Sequence, residues 1–334
     1  MVFVTGGTGL VGSHIICQLL SDGYKVRALC RSTSDKAWFY KTAKWLLSTE
    51  YTQAITKLEW FEGDVTDVVS LIDGVAGCTQ VYHAAAVVSF AKSNEEILRN
   101  ININGTANVV NACLGTSPHI DLCFISSTAS IGGVEKKLLD ETAGYNNDQA
   151  NSYYSVTKYL AELEVIRGRE EGLNASIINP SIVLGYGNWN QGSAKIIKNG
   201  KVGFPFYTDG SNAFVDARDV AKASTLLMEN KCFEGRYLCA AWNRKFVDLF
   251  KKLATEFDSK PPRIHVIKWM AEVAWRLAAV LRFFTGTGII TKESASAGMK
   301  SRSYSSERLE RAVSFNFRDF DQALSEICEA YKSE

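Results

Sequence analysis

Apolar and polar positions follow two rhythms along the chain. Short apolar runs recur at Val2-Phe3-Val4, Tyr24 to Leu29, Leu58 to Phe61, Gln80 to His83, Leu122 to Ile125 and Ala175 to Leu184. Each reads as a strand buried on both faces. Between them the apolar residues fall three and four apart, as in Ile15, Ile16, Leu19 and Leu20, or Leu160, Leu163 and Val165. That spacing predicts helices. Residues 33 to 56 read as irregular helix with Trp38, Phe39, Tyr40 and Trp45 covering the sheet, and Glu95 to Leu114 as one long helix. Asn102, Asn104 and Gly105 lie inside that helix at a cost in stability, which marks a kink or another duty. Strand and helix in alternation predict an α/β fold with a doubly wound parallel sheet. Further on, Asp216 to Met228 reads as a helix and Arg236 to Cys239 as a last strand. From Phe246 the pattern is that of a smaller, mostly helical C-terminal region. The division expected is a nucleotide-binding domain over 1–185, with 214–242 returning to it, and a substrate region over 186–213 and 243–334.

The turn after the first strand, Thr5-Gly6-Gly7-Thr8-Gly9-Leu10-Val11-Gly12, makes the sheet Rossmann-type. Gly6 permits a sharp turn closed to residues with a side chain. Gly9 leaves room for a diphosphate against the backbone, and Gly12 lets the helix pack closely. The helix N-terminus then offers free N–H groups and a positive dipole end to the diphosphate.

The other strand ends carry polar chemistry. Cys30-Arg31-Ser32 closes the second strand about twenty residues past the glycines, where an acid would bind a ribose 2′-hydroxyl. Arg31, with Ser32 and Lys36 beside it, instead suits a 2′-phosphate, which favours NADP(H) over NAD(H). A solvated surface arginine is the alternative. Asp64-Val65 follows the third strand and suits an adenine, or Asp64 caps the helix near Asp67. Ala84, Ala85 and Ala86 follow the fourth and let a ligand lie close. His83 reads as a packed, hydrogen-bonded histidine, since no catalytic partner is near it in sequence. Ser126-Ser127-Thr128-Ala129-Ser130 ends the fifth strand with a hydroxyl cluster. Tyr154 and Lys158, four apart, share a helix face, where an ammonium would lower the phenol pKa.

Composition narrows the classes. A formal net charge of +1 gives no field for nucleic acid or an anionic membrane. The 8 cysteines include no CxxC pair and no metal-ligand spacing, so no metal is expected and reduced thiols in the cytoplasm are the simplest account. A first strand beginning at Met1 leaves no room for a signal peptide in this reading.

Taken together, the glycine turn, Asp64-Val65, His83 to Ala86, Asn102 to Thr106, Ser126 to Ala129, Tyr154-xxx-Lys158, Asn179-Pro180-Ser181 and Phe214 to Ala221 resemble an extended short-chain dehydrogenase/reductase of the epimerase/dehydratase superfamily. They cover nearly the whole chain in family order. The resemblance implies Tyr154 as proton donor or acceptor, Lys158 as the group that lowers its pKa and binds the nicotinamide ribose, and Thr128 as the hydroxyl orienting the reacting oxygen. Ser127 is the fallback for Thr128. Asn102 aligns with the family's structural asparagine and is a further catalytic candidate. Candidate cofactor contacts are Gly6, Thr8, Gly9, Leu10, Val11, Gly12, Arg31, Ser32, Lys36, Asp64, Val65, Ala84, Ala85, Ala86, Tyr154, Lys158, Pro180 and Val183. Asn179 stands where many members carry Arg.

The tail, from Lys260-Pro261-Pro262 to Phe284-Thr285-Gly286, resembles the dihydroflavonol reductase and 3β-hydroxysteroid dehydrogenase branch. Residues 186–213, with Trp189, Phe204, Phe206 and Tyr207, are expected to line a substrate lid. Residues 264–284 form a basic, apolar helical stretch, read as packed in the substrate region in preference to lying on a membrane surface. The function expected is NADP(H)-dependent interconversion of a ketone and a secondary alcohol on an apolar ring substrate such as a steroid, isoprenoid or flavonoid-like molecule. A nucleotide-sugar epimerase or dehydratase with tightly bound NAD, and a non-catalytic dinucleotide sensor, are the alternatives. A homodimer is the expected assembly.

Overall fold

The computed structural model describes residues 1–116, 120–131, 138–145, 152–267, 269–270 and 298–334. Its strands are β1 (Val2–Thr5), β2 (Val26–Cys30), β3 (Leu58–Glu62), β4 (Gln80–His83), β5 (Asp121–Ile125), β6 (Ala175–Pro180), β7 (Ile182–Leu184), β8 (Phe206–Tyr207), β9 (Ser211–Asp216), β10 (Tyr237–Cys239), β11 (Trp242–Lys245) and β12 (Ile264–His265). Seven form one parallel sheet in the order β10-β6-β5-β4-β1-β2-β3. Successive residues of each central strand enter opposite cores. Val2, Val4, Ala28, Cys123 and Ile178 face one side, while Phe3, Leu29, Val81, Leu122, Phe124 and Ile177 face the other. This is why the strands read as unbroken apolar runs. Each large apolar side chain so buried stabilises the fold by about 1.5–3 kcal/mol relative to exposure.

The first core is closed by α1 (Leu10–Ser21) and the helices Ala37–Leu47 and Ala217–Glu229; the second by Val68–Val75, Gly105–Leu114 and Tyr153–Glu170. The strand order reverses between β1 and β4. In an open parallel sheet, the crevice at the carboxyl ends beside such a switch binds the ligand. There the sheet lines up the strand-end candidates in sequence, from Pro180 through Ser126, Ala84 and Gly6 to Arg31 and Asp64.

Several elements differ from the sequence expectation. The run Ala175 to Leu184 is two strands. Pro180 ends β6, Ser181 donates its N–H to the Cys239 carbonyl, and β7 leaves to pair with β9 in a second, three-stranded sheet with β11. The stretch Glu95 to Leu114 stays helical but carries a π-helical segment over Arg99–Asn104, where the two asparagines sit. Trp189 does not line a lid: it is 4% exposed and packs edge-on to Trp38, Tyr186 and Tyr331. It belongs to a third core that also holds Leu249, Leu253 and Leu324. Phe204 likewise stacks on Phe250, and Tyr207 on His265, while Phe206 is exposed. The stretch 264–284 does not begin as a helix, because Ile264–His265 is β12, paired with β8. Its residues 268 and 271–284 lie outside the described residues. Among the described residues no helix is long and apolar enough to cross a membrane.

Candidate active site

The turn from β1 into α1 is built from backbone. Gly6 has a φ of +72°, and a Cβ there would meet the Ala84 carbonyl carbon and the Ala85 nitrogen, both at 2.6 Å. A Cβ on Gly12 would stand 2.2 Å from the Gly6 oxygen. So Gly12 brings the helix onto the loop, not onto the strand. No side chain caps α1 at Gly9, and its first-turn N–H groups have no intrahelical partner. Gly9 is exposed, and Thr8, Leu10 and Val11 are partly exposed. The cradle therefore fits a diphosphate: glycines where side chains would intrude, and free donors facing the opening.

Beside it, Arg31 and Ser32 are exposed at the end of β2. Lys36 lies 5.2 Å over the Trp60 ring. Asp64 accepts both the Thr66 N–H and the Thr66 hydroxyl through one carboxylate oxygen. The helix cap is Asp67, not Asp64. Val65 is buried, Ala84 and Ala85 are partly buried, and Ala86 is exposed. Pro180 and Val183 flank the bend between the two sheets, Pro180 buried and Val183 partly so.

A polar chain links this turn to the helix that carries Tyr154 and Lys158. Thr5 Oγ1 accepts the Ala85 N–H and lies 2.6 Å from His83 Nδ1. His83 Nε2 lies 3.0 Å from the Thr106 hydroxyl, which itself donates to the Asn102 carbonyl. This direction assigns the neutral tautomer, with the proton on Nε2 and Thr5 donating to Nδ1. Burial, with the Lys158 charge adding to it, holds the His83 pKa down at about 3. With both nitrogens committed, His83 is structural. The Asn102 amide accepts the Val87 N–H and donates to the Val87 carbonyl and the Thr157 hydroxyl. Asn102 thus braces the loop after β4 against the helix one turn past Tyr154. Among the described residues its side-chain hydrogen bonds go to Val87 and Thr157, the arrangement of a brace.

The hydroxyl cluster and the helix Tyr153–Glu170 meet at the end of β5. Ser127 caps the short 3₁₀ turn Thr128–Ser130 by accepting the Ala129 N–H. Ser127, the fallback, is the side chain that pulls the Tyr154 pKa down. Thr128 is buried next to it, and its hydroxyl has no hydrogen-bond partner among the described residues. Tyr154 is partly exposed as a residue, yet its phenol sits deep: burial pushes its pKa up to about 12, against the pull of Ser127. The expected acidification by Lys158 is absent from this arrangement. Lys158 is 2% exposed and donates to the Ile125 carbonyl at 2.8 Å, with its ammonium 4.5 Å from the Phe124 ring centre. Burial lowers its pKa to about 8, opposed by the charge of Glu162. Phe90 meets the Tyr154 ring edge-on at 6.2 Å, and Phe90 and Val88 are both exposed. Phe90 is thus an apolar wall beside the Tyr154 ring, with Val88 two positions before it in the chain.

Glu162 was missed in the sequence. It lies four residues past Lys158, so the spacing that paired Tyr154 with Lys158 carries one turn further to it. It is 2% exposed. Asn179, noted only as a departure from the family, is one of its partners. A cavity of about 600 Å³ lies elsewhere, behind α1, lined by His14, Trp45, Arg218, Arg318 and Glu326 among others. Its arginines are paired with Asp216, Glu326 and Asp219.

The comparisons agree with this geometry. The family model for the NAD dependent epimerase/dehydratase family matches residues 2–245. Cinnamoyl-CoA reductase 1 of Oryza sativa subsp. japonica is 30% identical over 278 residues, covering 78% of this chain and 77% of that protein. Dihydroflavonol 4-reductase of Gerbera hybrida is 28% identical over 267 residues, covering 75% and 70%. The solved structure of DesIV, a dTDP-glucose 4,6-dehydratase from Streptomyces venezuelae with NAD bound, superposes with a TM-score of 0.77 at 17% identity over 99% of this chain and 97% of that one, a likeness of fold. The chain belongs to the NAD dependent epimerase/dehydratase family and is an NAD(P)-dependent oxidoreductase of the extended short-chain dehydrogenase/reductase type.

Proposed function

We propose that this enzyme interconverts a ketone and a secondary alcohol on an apolar ring substrate, using NADP(H). The observation that carries the substrate class is the exposed apolar wall of Phe90 beside Tyr154. The preference for NADP(H) rests on Arg31 and Ser32, exposed at the β2 end where an acid would serve NAD(H). Among the described residues no acid is paired with Arg31, so its guanidinium is free for a 2′-phosphate. Relatives named for the reduction of a dihydroflavonol and of cinnamoyl-CoA support a reductase over an epimerase.

The glycine cradle and the α1 N-terminus would hold the diphosphate, and Lys158 the nicotinamide ribose. The bound nicotinamide supplies or receives the hydride. Tyr154 gives its phenolic proton to the oxygen of the ketone as charge develops there, or removes it in the reverse direction. Ser127 and Thr128 hold that oxygen in line. Lys158 must approach the phenol closely enough to offset the burial that now keeps its proton on. Phe90 excludes water from the reacting face.

The test is fluorescence titration of the purified protein with NADPH and NADH, followed by a panel of aryl ketones and sterol ketones. Exchangeable NADPH binding with ketone-dependent oxidation supports the proposal. Co-purified NAD that does not exchange would favour the epimerase or dehydratase alternative, and binding without turnover would favour a sensor.

A further inference from the structure

Glu162 gathers the polar groups of the β5 end around one buried carboxylate. Its Oε1 accepts from the Ser126 hydroxyl at 2.5 Å, the Ser130 hydroxyl at 2.6 Å and the Asn179 amide at 2.5 Å. Its Oε2 faces Arg236 at 3.3 Å. Ser126 and Ser130 lie on either side of Ser127 and Thr128 in the chain, so the carboxylate grips the turn at both ends. Asn179 tightens the grip, because its amide nitrogen also lies 3.1 Å from the Ser127 carbonyl and 2.9 Å from the Ser130 hydroxyl. The amide cannot be reversed without turning its oxygen towards the carboxylate. An arginine at this position would bring a second full charge beside Arg236; an asparagine supplies donors without one.

We propose that Glu162 is a positioning residue for the reaction: its carboxylate clamps the turn that presents Ser127 and Thr128 to Tyr154, from one helical turn past Lys158. This rests on the reading of Tyr154 and Lys158 as the acid–base pair. Burial drives the Lys158 pKa down and Glu162 opposes it. The other charged and titratable groups around the two are Arg236 just before β10, Arg169 on the same helix, His83 from β4, and Tyr154 one turn before Lys158. His83 is neutral, and Arg236 already shares the carboxylate. Glu162 is therefore the anion available to Lys158 within this group.

The test reads Lys158 directly and needs no substrate. Isotope-labelled lysine side chains are titrated by NMR, with the Lys158 signal assigned by its loss in Lys158→Met. Glu162→Gln should move the Lys158 midpoint down by about one pH unit or more. Arg236→Met, which removes the competing cation, should move it up. Amide hydrogen exchange at Ala129 and Ser130 should quicken about tenfold or more in Glu162→Gln and in Ser130→Ala, since a lost clamp contact is worth about 1.5 kcal/mol or more. Only the former should shift Lys158. An unmoved midpoint in a folded Glu162→Gln, or in Arg236→Met if the first does not fold, overturns the charge role. Unchanged exchange in Ser130→Ala overturns the clamp. Failure of every ketone in the activity panel would instead reject the reductase reading and leave these two results standing on their own.

Discussion

Two turns at the carboxyl edge of the sheet do different work with different materials. The β1–α1 turn is made of backbone, glycine and a helix terminus, and its side chains matter chiefly by being absent. The β5 turn is made of side chains drawn from three places: Ser126 to Ser130, the helix bearing Tyr154, Lys158 and Glu162, and Asn179 of β6. The first suits a diphosphate, because backbone donors have fixed positions and no charge state. The second suits the proposed proton transfer, because its groups have charges that depend on their neighbours. Thr5, His83, Thr106, Asn102 and Thr157 connect the two in one hydrogen-bonded chain.

Variants should separate the turns. Tyr154→Phe acts on the second alone: turnover should fall by about 10³-fold with NADPH affinity nearly unchanged, as removal of an acid–base group predicts. Equal loss of affinity would merge the two sites. Gly12→Ala acts on the first, where the new methyl has no space beside the Gly6 oxygen. Overpacking of about 1–3 kcal/mol should show as weaker NADPH binding or a lower melting temperature. A variant unchanged in both would mean the helix does not need its close approach. Asn102→Ala cuts the link between them, takes both side-chain bonds from the Val87 backbone and removes the amide donor to the Thr157 hydroxyl, a cost of about 1–3 kcal/mol. Thermal unfolding and kcat should both register it. Arg31→Asp should lower the NADPH-to-NADH affinity ratio about tenfold or more, equivalent to one charge-assisted contact. An unaltered ratio makes Arg31 a plain surface residue.

The smallest effect is on stability against pH. His83 and His14 are buried and neutral, with pKa values held down to about 3 and about 4 by burial. The unfolded chain takes up their protons near the ordinary histidine value of 6.5, before the folded chain does. Their contribution to stability is thus complete above that pH and is lost as the pH falls towards the folded values. Each should cost about 1 kcal/mol over the first unit below it. Denaturant unfolding of His83→Asn should show a shallower acid decline; an identical slope would mean His83 is already charged when folded.

The same contrast explains what the sequence made legible. Glycines at positions 6, 9 and 12 carry their meaning locally, so the first turn could be read from spacing alone. The alternation of core faces likewise fixed the strands, apart from the break at Ser181, which depends on a bond to distant Cys239. In the second turn, Tyr154 and Lys158 were visible as a helical pair. The pull of Ser127 on Tyr154 and the convergence of Ser126, Ser130 and Asn179 on Glu162 were not, since they join residues up to 36 positions apart. Trp189 was misread for the same reason: exposure in a lid and burial against Tyr331 look alike in a sequence.

The most direct measurement follows a label. NADPH carrying deuterium at the transferable C4 position is added with a reducible ketone, and the product alcohol is examined by mass spectrometry. Deuterium bonded to the new carbinol carbon in wild type, and no labelled product from Tyr154→Phe, is the result expected of a cofactor bound at the first turn and a proton delivered at the second. Product free of deuterium, or labelled product formed equally well by Tyr154→Phe, would contradict it.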